Sequence, residues 1–374
     1  MKNTICLSIL FLFFGCITIA QQNYLITGTY TGSKSEGIYV YGFNTNDGTA
    51  KEISHVKISN PSVLAISPDQ QFVYAIEEDA AANGKGGKIA AFFFNKQSGA
   101  LTFINEQSTG GDHPCYVSVD KTGGWVVAGN YTSGSLSVLP VLADGSLGTV
   151  ASTIQHQGSG PVTLRQNGPH VHCTLFSADN DFLFVPDLGI DKVMIYTFDA
   201  ATGKLGTAKQ PYAQSEPGAG PRHLCFHPSN KFAYLMEELS GTVVVFKYKK
   251  GKLKVKQHIS SMPAGDTSFA GSADIHVSPD GRFLYASNRA EVNTIAIFSI
   301  NAKNGTLKLI GHQSTLGKTP RNFNFDPSGN FLLVGNQNSD EIVIFKRDIE
   351  TGLLSDTHNR ISVGKPVCLQ WISK

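Results

Sequence analysis

The sequence predicts an all-β fold: a seven-bladed β-propeller of four-stranded blades, its ring closed by the C-terminal strand pairing in the N-terminal blade. Three observations support this prediction. One glycine-containing turn recurs seven times, a second turn recurs six times, and the strand missing from the first unit is found at the C-terminus. The chain has 374 residues, of which 41% are hydrophobic and 16% charged, a composition typical of a folded protein with a large core.

The first recurring turn contains a glycine, and its seven copies are 46 to 58 residues apart. Before each copy lies an alternating or apolar stretch, such as "GIYVYGFN" or "KVMIYTFD", which is the pattern of a β-strand. Each unit therefore holds a strand, a glycine turn and an outer strand. The copies are Asp47-Gly48, Ser98-Gly99, Asp144-Gly145, Thr202-Gly203, Lys250-Gly251, Asn304-Gly305 and Thr351-Gly352.

A second hairpin precedes that pair of strands in each unit. Its turns use Pro, Asp, Asn and Gly, which suit β-turns because Pro fixes φ while Gly and Asn tolerate positive φ. Two hairpins give four strands, A to D, in about 50 residues, which is the pattern of a propeller blade. The turns are Ser67-Pro68-Asp69, Lys121-Thr122-Gly123, Ala178-Asp179-Asn180, Pro228-Ser229-Asn230, Pro279-Asp280-Gly281 and Pro327-Ser328-Gly329.

The first blade lacks a strand A of its own at the N-terminal end. The stretch "KPVCLQWIS" near the C-terminus matches "NPSVLAISP", which is strand A of the next unit, and "YLITGTY" supplies strand B. The last residues are therefore predicted to complete the first blade. Such closure removes an open sheet edge that would invite aggregation.

The N-terminus has the features of a secretory signal peptide. Lys2 precedes an apolar stretch from Ile5 to Ala20, which is too short for a comfortable membrane span. We therefore predict a signal peptide at residues 1–20, a propeller domain at 21–374 and export to the periplasm or the extracellular space. Lipidation at Cys16 is the alternative to cleavage after Ala20.

Charge and cysteine usage exclude several classes of protein. The formal net charge is +2, without a basic run or an acidic tail, so neither nucleic acid nor an anionic membrane surface is an expected partner. The four cysteines beyond the N-terminal stretch include no CxxC pair and lie in strand-like segments. We expect them to be small buried hydrophobic residues, although a disulfide stays open. No cofactor is predicted.

Polar residues are predicted to form a ring at one mouth of the central channel. In an antiparallel hairpin the start of strand A lies beside the end of strand B, and strand A faces the channel. Polar groups that converge on a concave opening are a candidate binding site; the alternative is structural ion pairs and turn hydrogen bonds. The starts of A are Ser62, Cys115, His172, Arg222, Ala273, Arg321 and Val367, and the ends of B are Glu77-Glu78, Asn130-Tyr131, Asp187-Leu188, Glu237-Glu238, Asn288-Arg289, Asn336-Gln337 and Thr29-Tyr30.

Three other local patterns bear on alternative kinds of site. His170 and His172 share one face of a strand, so a metal with Asp187 or Glu238 as a further ligand is conceivable. No third ligand is fixed by spacing, and we predict no metal site. The segment "GKGGK" lacks the spacing and the following helix of a phosphate loop. No Gly-x-Ser-x-Gly motif of a serine hydrolase is present.

Several stretches resemble the lactonase family of seven-bladed propellers, which includes bacterial 6-phosphogluconolactonases and fungal carboxymuconate-lactonising enzymes. They are "LITGTYT", "GNYTSGSLSVLPV", "GPHVHC", "PDLGIDKVMIYTFD", "GPRHLCFHPSNKFAYLMEEL", "SPDGRFLYASNRAEVNTIAIFSI" and "PRNFNFDPSGNFLLVGNQNSDEIVIF". The resemblance extends over nearly all of the chain beyond residue 20, and the stretches are specific when taken together. One departure is Ala290, which stands where the family usually has glycine.

The resemblance implies that a histidine, two arginines and a glutamate line the active site. Here these are His172 (or His170), Arg222, Glu238 and Arg289, with Arg321 helping to hold an anion. The other polar residues of the ring and its neighbours are expected to contact the substrate. The full set of expected substrate contacts is His170, His223, Glu237, Asn130, Asp187, Asn288, Arg321 and Asn336.

The resemblance also implies a hydrolase that opens a sugar lactone to its aldonic acid, and hence a small-molecule partner. Arginines would hold the anion and stabilise the oxyanion, and His172 or Glu238 would take a proton from water. A cycloisomerase acting on a related acid and a non-catalytic binding propeller are the alternatives. Because the N-terminus predicts export whereas phosphogluconolactone is cytosolic, an unphosphorylated lactone is also plausible.

Overall fold

Seven four-stranded antiparallel sheets form the fold, as the sequence predicted. The computed structural model describes residues 22–32, 34–81 and 86–373. Within that part of the chain there are 28 strands, and the single helical element is a 3₁₀ turn at Gln337–Ser339. The predicted signal peptide at residues 1–20 and the first two residues of the "GKGGK" segment, Gly84 and Lys85, lie outside the described residues.

The strands of each blade run in the order A, B, C, D from the channel outwards. Blade 1 consists of β28 (Pro366–Ile372), β1 (Gln22–Thr29), β2 (Gly37–Asn44) and β3 (Ala50–Lys57). Blade 2 consists of β4 (Leu64–Ile66), β5 (Phe72–Glu77), β6 (Lys88–Asn95) and β7 (Ala100–Ser108). Blade 3 consists of β8 (Pro114–Val119), β9 (Trp125–Asn130), β10 (Ser135–Pro140) and β11 (Ser152–Gln155).

The remaining four blades follow the same order without interruption. Blade 4 consists of β12 (Leu175–Phe176), β13 (Phe182–Asp187), β14 (Lys192–Asp199) and β15 (Lys204–Gln214). Blade 5 consists of β16 (Pro221–Phe226), β17 (Phe232–Glu237), β18 (Thr242–Lys249) and β19 (Lys252–Ser260). Blade 6 consists of β20 (Ile275–Val277), β21 (Phe283–Asn288), β22 (Thr294–Ile300) and β23 (Leu307–Ser314). Blade 7 consists of β24 (Pro320–Phe325), β25 (Phe331–Asn336), β26 (Glu341–Arg347) and β27 (Leu354–Ser362).

The hydrophobic core lies between the blades. Strands B and C are buried almost throughout, whereas the outer strands D have many exposed residues. Side chains of β17 and β18 pack against those of β21 and β22, so each sheet buries a face against its neighbour. The inner strands of neighbouring blades also contact one another, as β28 and β4 or β16 and β20 do. These inner strands therefore surround the central channel.

The ring is closed as predicted. β28 pairs with β1 from Tyr24↔Ile372 to Gly28↔Cys368, and the Tyr30 N–H donates to the Lys365 carbonyl oxygen at 3.1 Å. The C-terminal strand is thus strand A of the N-terminal blade, and no inner edge is left open there.

The recurrent glycine turn has a packing role that explains its sevenfold repetition. At all seven turns the glycine has a positive φ, between 69° and 82°. A Cβ on Gly203 would lie 2.4 Å from the ring of Trp125, and one on Gly145 would lie 2.1 Å from the ring of Phe72. In each blade an aromatic side chain from strand B of the preceding blade packs against the glycine. The repeat therefore encodes a contact between blades as well as a turn.

Candidate active site

Several blades have a β-bulge at the start of strand A. In each of them the bulge places one residue at the end of the channel. In blade 5, Pro221 pairs with Glu237 and His223 pairs with Met236, so Arg222 occupies the bulge between them. The sequence-based expectation was a regular ladder with Arg222 facing Glu238. The bulge arises because Pro221 has no N–H for the ladder, and it re-aims the next side chain.

The same bulge after a proline recurs in other blades. Register shifts span Cys115 in blade 3 and Arg321 in blade 7, after Pro114 and Pro320. Proline followed by the bulged residue is therefore the local sequence signal that marks these positions of the ring.

Glu238 is the centre of a charged cluster. The arginines around it come from the loop before blade 4, from blade 5 and from blade 6. Its Oε2 lies 2.9 Å from Arg222 Nε and 3.0 Å from Arg289 Nη2. Its Oε1 lies 2.6 Å from Arg165 Nη2. We call these four residues together with His172 the Glu238 cluster. The structure thus brings together the four residues that the resemblance assigned to the active site, and adds Arg165.

Arg165 was missed by the sequence reasoning because it lies in a connection and not in a strand. It belongs to the long loop between β11 and β12, where the glycine-turn spacing is also longest, at 58 residues. Gln166 fixes this loop by donating to the Leu188 carbonyl at 2.8 Å and to Asp191 Oδ1 at 2.7 Å. The long spacing was the only sequence signal of an inserted functional loop.

The arginines keep the Glu238 carboxylate ionised. Burial alone would raise its pKa, but Arg289, Arg222 and Arg165 together lower the pKa of Glu238 to about 2. Arg222 and Glu238 are only 1% and 4% exposed. A carboxylate held this way is a weak base at neutral pH, and its main effect is to fix the three guanidinium groups.

His172 is a buried, neutral imidazole beside this carboxylate. Its Nε2 lies 3.8 Å from Glu238 Oε2, and its Nδ1 lies 3.7 Å from Cys115 Sγ. Burial lowers the pKa of His172 well below its usual value, and the charges of Arg222 and Arg321 lower it further. The ring is therefore unprotonated at neutral pH and able to accept a proton.

His170 lies next to His172 but has separate partners. Its ring stacks on Tyr131 with centroids 4.5 Å apart, and its Nδ1 lies 3.0 Å from the Tyr131 carbonyl oxygen. Because a carbonyl only accepts, Nδ1 carries a proton in this contact. Among residues 22–32, 34–81 and 86–373, no three His, Cys, Asp or Glu side chains form a group that could hold a metal ion.

A second polar layer lies behind Arg222. The Arg222 Nη1 donates to the Ala273 carbonyl at 2.5 Å and to His223 Nε2 at 3.1 Å. His223 Nδ1 then lies 2.8 Å from Asp274 Oδ1, and His276 Nε2 lies 3.0 Å from Asp274 Oδ2. Burial and the charge of Arg222 lower the pKa of His223 to about 4, against the effect of Asp274. The sequence reasoning placed Ala273 at this point of blade 6 and missed Asp274.

Five of the residues expected to contact the substrate form hydrogen bonds with residues outside the Glu238 cluster. Asp187 Oδ2 lies 2.6 Å from His156 Nδ1, and Asn288 Oδ1 accepts from Ser261. Side chains alternate between the two faces of a strand. The last residue of strand B, such as Glu237, therefore points to the opposite side from the residue that follows it, such as Glu238. We therefore leave these five outside the proposed site: Asn130, Asp187, Glu237, Asn288 and Asn336.

Arg321 lies on blade 7, next to blade 6, and lines the same small cavity as Arg222. Its guanidinium is 5.2 Å from the centroid of the Tyr30 ring. The Tyr30 hydroxyl donates to Glu78 Oε2 at 2.8 Å, and the Ser62 hydroxyl donates to the same oxygen. The charge of Arg321 contributes to lowering the pKa of both His172 and Arg222, so it faces the same space.

The cavity at the candidate site is smaller than other cavities of the molecule. A cavity of about 60 Å³ lies between Arg222 and Arg321 and is bounded further along by Asp274. A cavity of about 480 Å³ continues beyond Asp274, and another of about 750 Å³ lies among lysines such as Lys249 on the outside of the propeller. The chemistry of the lining residues therefore identifies the candidate site better than volume does.

The four described cysteines are free thiols; Cys115, Cys173 and Cys368 are buried as expected, whereas Cys225 is partly exposed. In the part of the chain that the structure describes, no helix has the length and apolar character needed to cross a bilayer. Ala290, the residue that departs from the family pattern, has a φ of +52°. This left-handed conformation favours glycine, which explains the family preference.

Comparison with known proteins agrees with the fold and the motifs. The family described as "Lactonase, 7-bladed beta-propeller" matches residues 24–371. A protein of Formosa agariphila named 6-phosphogluconolactonase is 41% identical over 350 residues, covering 92% of this chain and 98% of that protein.

Two solved structures are similar over almost the whole chain. A putative 6-phosphogluconolactonase from Bacteroides fragilis has a TM-score of 0.90 and 39% identity, covering 95% of this chain and 99% of that one. The periplasmic gluconolactonase of Pseudomonas aeruginosa has a TM-score of 0.89 and 39% identity, covering 94% and 99%. The chain therefore belongs to the lactonase family of seven-bladed β-propellers, and its relatives support a lactone hydrolase.

Proposed function

We propose that this protein hydrolyses a sugar lactone at the Glu238 cluster and releases the aldonic acid. The observation that carries the proposal is the arrangement around one buried carboxylate. Three guanidinium groups lie within 3.0 Å of Glu238, next to the neutral imidazole of His172. Acyl transfer to water requires a group that accepts the water proton and preorganised cations that stabilise the oxyanion, and this arrangement has both.

His172 is the proposed proton acceptor. Glu238 is the weaker candidate, because its lowered pKa makes it a poor base. As a water oxygen bonds to the lactone carbonyl carbon, the imidazole takes the water proton. The carboxylate 3.8 Å away stabilises the imidazolium that forms, which is the role a carboxylate has beside a catalytic histidine.

Arg222 and Arg289 are the proposed oxyanion stabilisers. Negative charge develops on the carbonyl oxygen during the attack, and preorganised donors in a buried site stabilise it strongly. The bond between the carbonyl carbon and the ring oxygen then breaks. The imidazolium returns its proton to that oxygen, which leaves a hydroxyl group and a carboxylic acid. At neutral pH the acid ionises, so each turnover releases one proton.

The identity of the lactone and the place of the reaction are also proposals. Relatives named for 6-phosphogluconolactone and a periplasmic gluconolactonase both favour a six-carbon sugar lactone. The predicted signal peptide and the periplasmic location of that relative favour export of this chain. Export in turn favours lactones available outside the cytosol.

The experiment is a proton-release assay with a panel of sugar and dicarboxylic-acid lactones at a pH of about 6.5. Wild type should accelerate hydrolysis of at least one sugar lactone well above the spontaneous rate. Glu238→Gln should lose about a hundredfold or more of kcat/KM, because the three arginines lose the anion that positions them. Glu350→Gln, at an exposed ion pair with Arg282, is the matched control and should retain wild-type rates.

Two outcomes would replace the proposal. Ring closure of a dicarboxylic acid without lactone hydrolysis would favour the cycloisomerase. Turnover of no lactone by correctly folded wild type, shown by circular dichroism, would favour a binding propeller.

A further inference from the structure

We propose that Asp274 and His223 are positioning residues, which hold the guanidinium of Arg222 in the orientation that stabilises the oxyanion. This inference rests on the proposed function, because it takes the oxyanion role of Arg222 as given. It adds a task in the reaction for a buried hydrogen-bond relay, which runs from the start of β20 in blade 6 to β16 in blade 5.

The hydrogen bonds of Arg222 leave one of its three nitrogens free. Its Nε donates to Glu238 Oε2 at 2.9 Å. The two hydrogens of Nη1 are used by the Ala273 carbonyl at 2.5 Å and by His223 Nε2 at 3.1 Å. Nη2 donates to no residue that the structure describes. Because the guanidinium is a rigid plane, holding Nε and Nη1 fixes the N–H groups of Nη2, which are the ones left for an oxyanion.

His223 can hold Arg222 in only one protonation state. A guanidinium nitrogen donates and does not accept, so His223 Nε2 is the acceptor in this contact. The proton of the neutral ring is then on Nδ1, which lies 2.8 Å from Asp274 Oδ1. Burial and the charge of Arg222 lower the pKa of His223 to about 4, so the ring is uncharged at neutral pH. Asp274 therefore selects the tautomer that accepts from Arg222.

Asp274 is itself held in place from several sides. It is 3% exposed. Its Oδ1 also accepts from the Ile275 N–H at 3.0 Å, while its Oδ2 accepts from Asn322 Nδ2 at 2.5 Å and lies 3.0 Å from His276 Nε2. Burial alone would raise the pKa of Asp274, but His276 and His223 hold it well below its usual value. The carboxylate therefore stays ionised, and both of its oxygens accept hydrogen bonds.

The alternative is that Asp274 serves only to join blades, since it contacts His223 of blade 5 and Asn322 of blade 7. Two observations favour the positioning role. The Ala273 carbonyl, directly before Asp274, binds the same Arg222 nitrogen as His223 does, so one short segment controls both acceptors of Nη1. His223 also uses both of its ring nitrogens in the relay, and neither is left for the substrate contact that the family resemblance implied.

The first test variant is Asp274→Asn, which keeps the shape of the side chain. The amide has one oxygen where the carboxylate has two, and the N–H groups of Asn322 and Phe323 compete for it. We expect the amide nitrogen to face His223 and to move the ring proton to Nε2, which places a donor against Arg222. Since the oxyanion develops only in the transition state, kcat should fall about tenfold to a hundredfold, while KM changes by about twofold or less.

A double-mutant cycle separates positioning from a purely structural role. In an Arg222→Ala background, Asp274→Asn has no guanidinium to misplace and should lower kcat by about twofold or less. A structural defect would lower kcat by the same factor in both backgrounds. Asp356→Asn is the matched control, because Asp356 also contacts an arginine and a histidine, Arg360 and His358, but on the outer strand β27. It should retain the wild-type kcat.

Two further measurements apply even where Asp274→Asn does not fold. His223→Phe keeps a ring at this position but removes both nitrogens, and it should show the same loss of kcat and the same dependence on Arg222. Nitrogen NMR of histidine-labelled wild type at a pH of about 7 should show His223 uncharged, with its proton on Nδ1. The signal of His223 is the one that is absent from His223→Phe. In folded Asp274→Asn the proton should be on Nε2.

A wild-type kcat in folded His223→Phe, or in folded Asp274→Asn, would overturn the inference. An equal loss of kcat in the wild-type and Arg222→Ala backgrounds would also overturn it, and so would a His223 proton on Nε2 in wild type. Failure of the proposed function is separately visible. Wild type then turns over no lactone, whereas the NMR spectra still report whether His223 accepts from Arg222.

Discussion

Arg222 Nε lies 2.9 Å from Glu238 Oε2, and this bond joins the start of β16 to the residue that follows β17. Both partners are almost completely buried. Through its Nη1, Arg222 also donates to the Ala273 carbonyl of blade 6. One side chain thus belongs to the proposed active site and to a contact between blades. Effects on rate and on stability must therefore be measured separately at this position.

The first prediction concerns catalysis by Arg222. Arg222→Ala should lose about 2–4 kcal/mol of transition-state stabilisation, the size expected for a removed oxyanion donor. This corresponds to a decrease in kcat/KM on the order of a hundredfold or more. Circular dichroism and thermal unfolding must show that the variant is folded. A folded variant with wild-type kcat/KM would contradict the role given to Arg222, and Arg282→Ala serves as the control.

The second prediction concerns the pH dependence of the rate. Burial holds the pKa of His172 well below its usual value, and the proposed base is active only when unprotonated. Log kcat/KM should therefore stay flat between pH of about 6.5 and 8, and fall only at lower pH. A loss of rate centred near a pH of about 6.5, the value of an exposed histidine, would show that the base is not this buried imidazole.

The third prediction concerns the stability of the fold near the cluster. Glu237 is 1% exposed, and burial raises its pKa to about 7. Between the unfolded and folded values the native state binds the extra proton, so stability is greatest at low pH and falls as pH rises through about 7.

Glu237→Gln cannot ionise and should be more stable than wild type at a pH of about 8, by on the order of 2 kcal/mol. At a pH of about 4 the difference should vanish. Urea unfolding at the two pH values measures this, and an equal effect at both would show that ionisation of Glu237 is not the cause.

The fourth prediction uses the one departure from the family pattern. Ala290 has a φ of +52°, where an L-residue is strained by about 1–2 kcal/mol. Ala290→Gly removes the strain but adds freedom to the unfolded chain. We expect a net stabilisation of up to about 1 kcal/mol, seen as a higher Tm. A lower Tm would mean that the Ala290 methyl group makes contacts worth more than the strain.

The fifth prediction concerns ring closure. Deletion of Lys365–Lys374 removes β28, which pairs with β1 in blade 1, and it exposes an unpaired strand edge. The truncated protein should aggregate or unfold at a much lower temperature. Size-exclusion chromatography and thermal unfolding measure this directly. A monomeric product with an unchanged Tm would show that β28 contributes nothing to closure.

The repeat made the fold predictable from sequence. Each blade repeats the same turns and the same strand pattern, and the glycine turn is held by an interblade aromatic contact. Both ends of the chain could be assigned because the C-terminal stretch repeated an internal strand A. Hydrophobic periodicity and turn chemistry act locally, so they can be read without knowing the rest of the structure.

The site was less predictable, for identifiable physical reasons. The convergence of His172, Arg222, Glu238 and Arg289 followed from strand order. Arg165 could not be found this way, because a loop has no register that fixes where its side chains point. The sequence also did not show that the last residues of strand B, such as Asn130, form hydrogen bonds inside the fold. A shift of one residue at a strand end moves a side chain from one face of the sheet to the other.

The most direct test of the central claim is one comparison of rates. His172→Gln and His55→Gln each replace a histidine by glutamine, the first beside Glu238 and the second on the exposed strand β3. Proton release from the best lactone should be measured for both at a pH of about 7, with matched circular dichroism spectra. We predict that His172→Gln loses about 10²–10⁴ of kcat/KM, the range for a removed general base, while His55→Gln keeps the wild-type value. A folded His172→Gln variant with wild-type turnover would contradict the account.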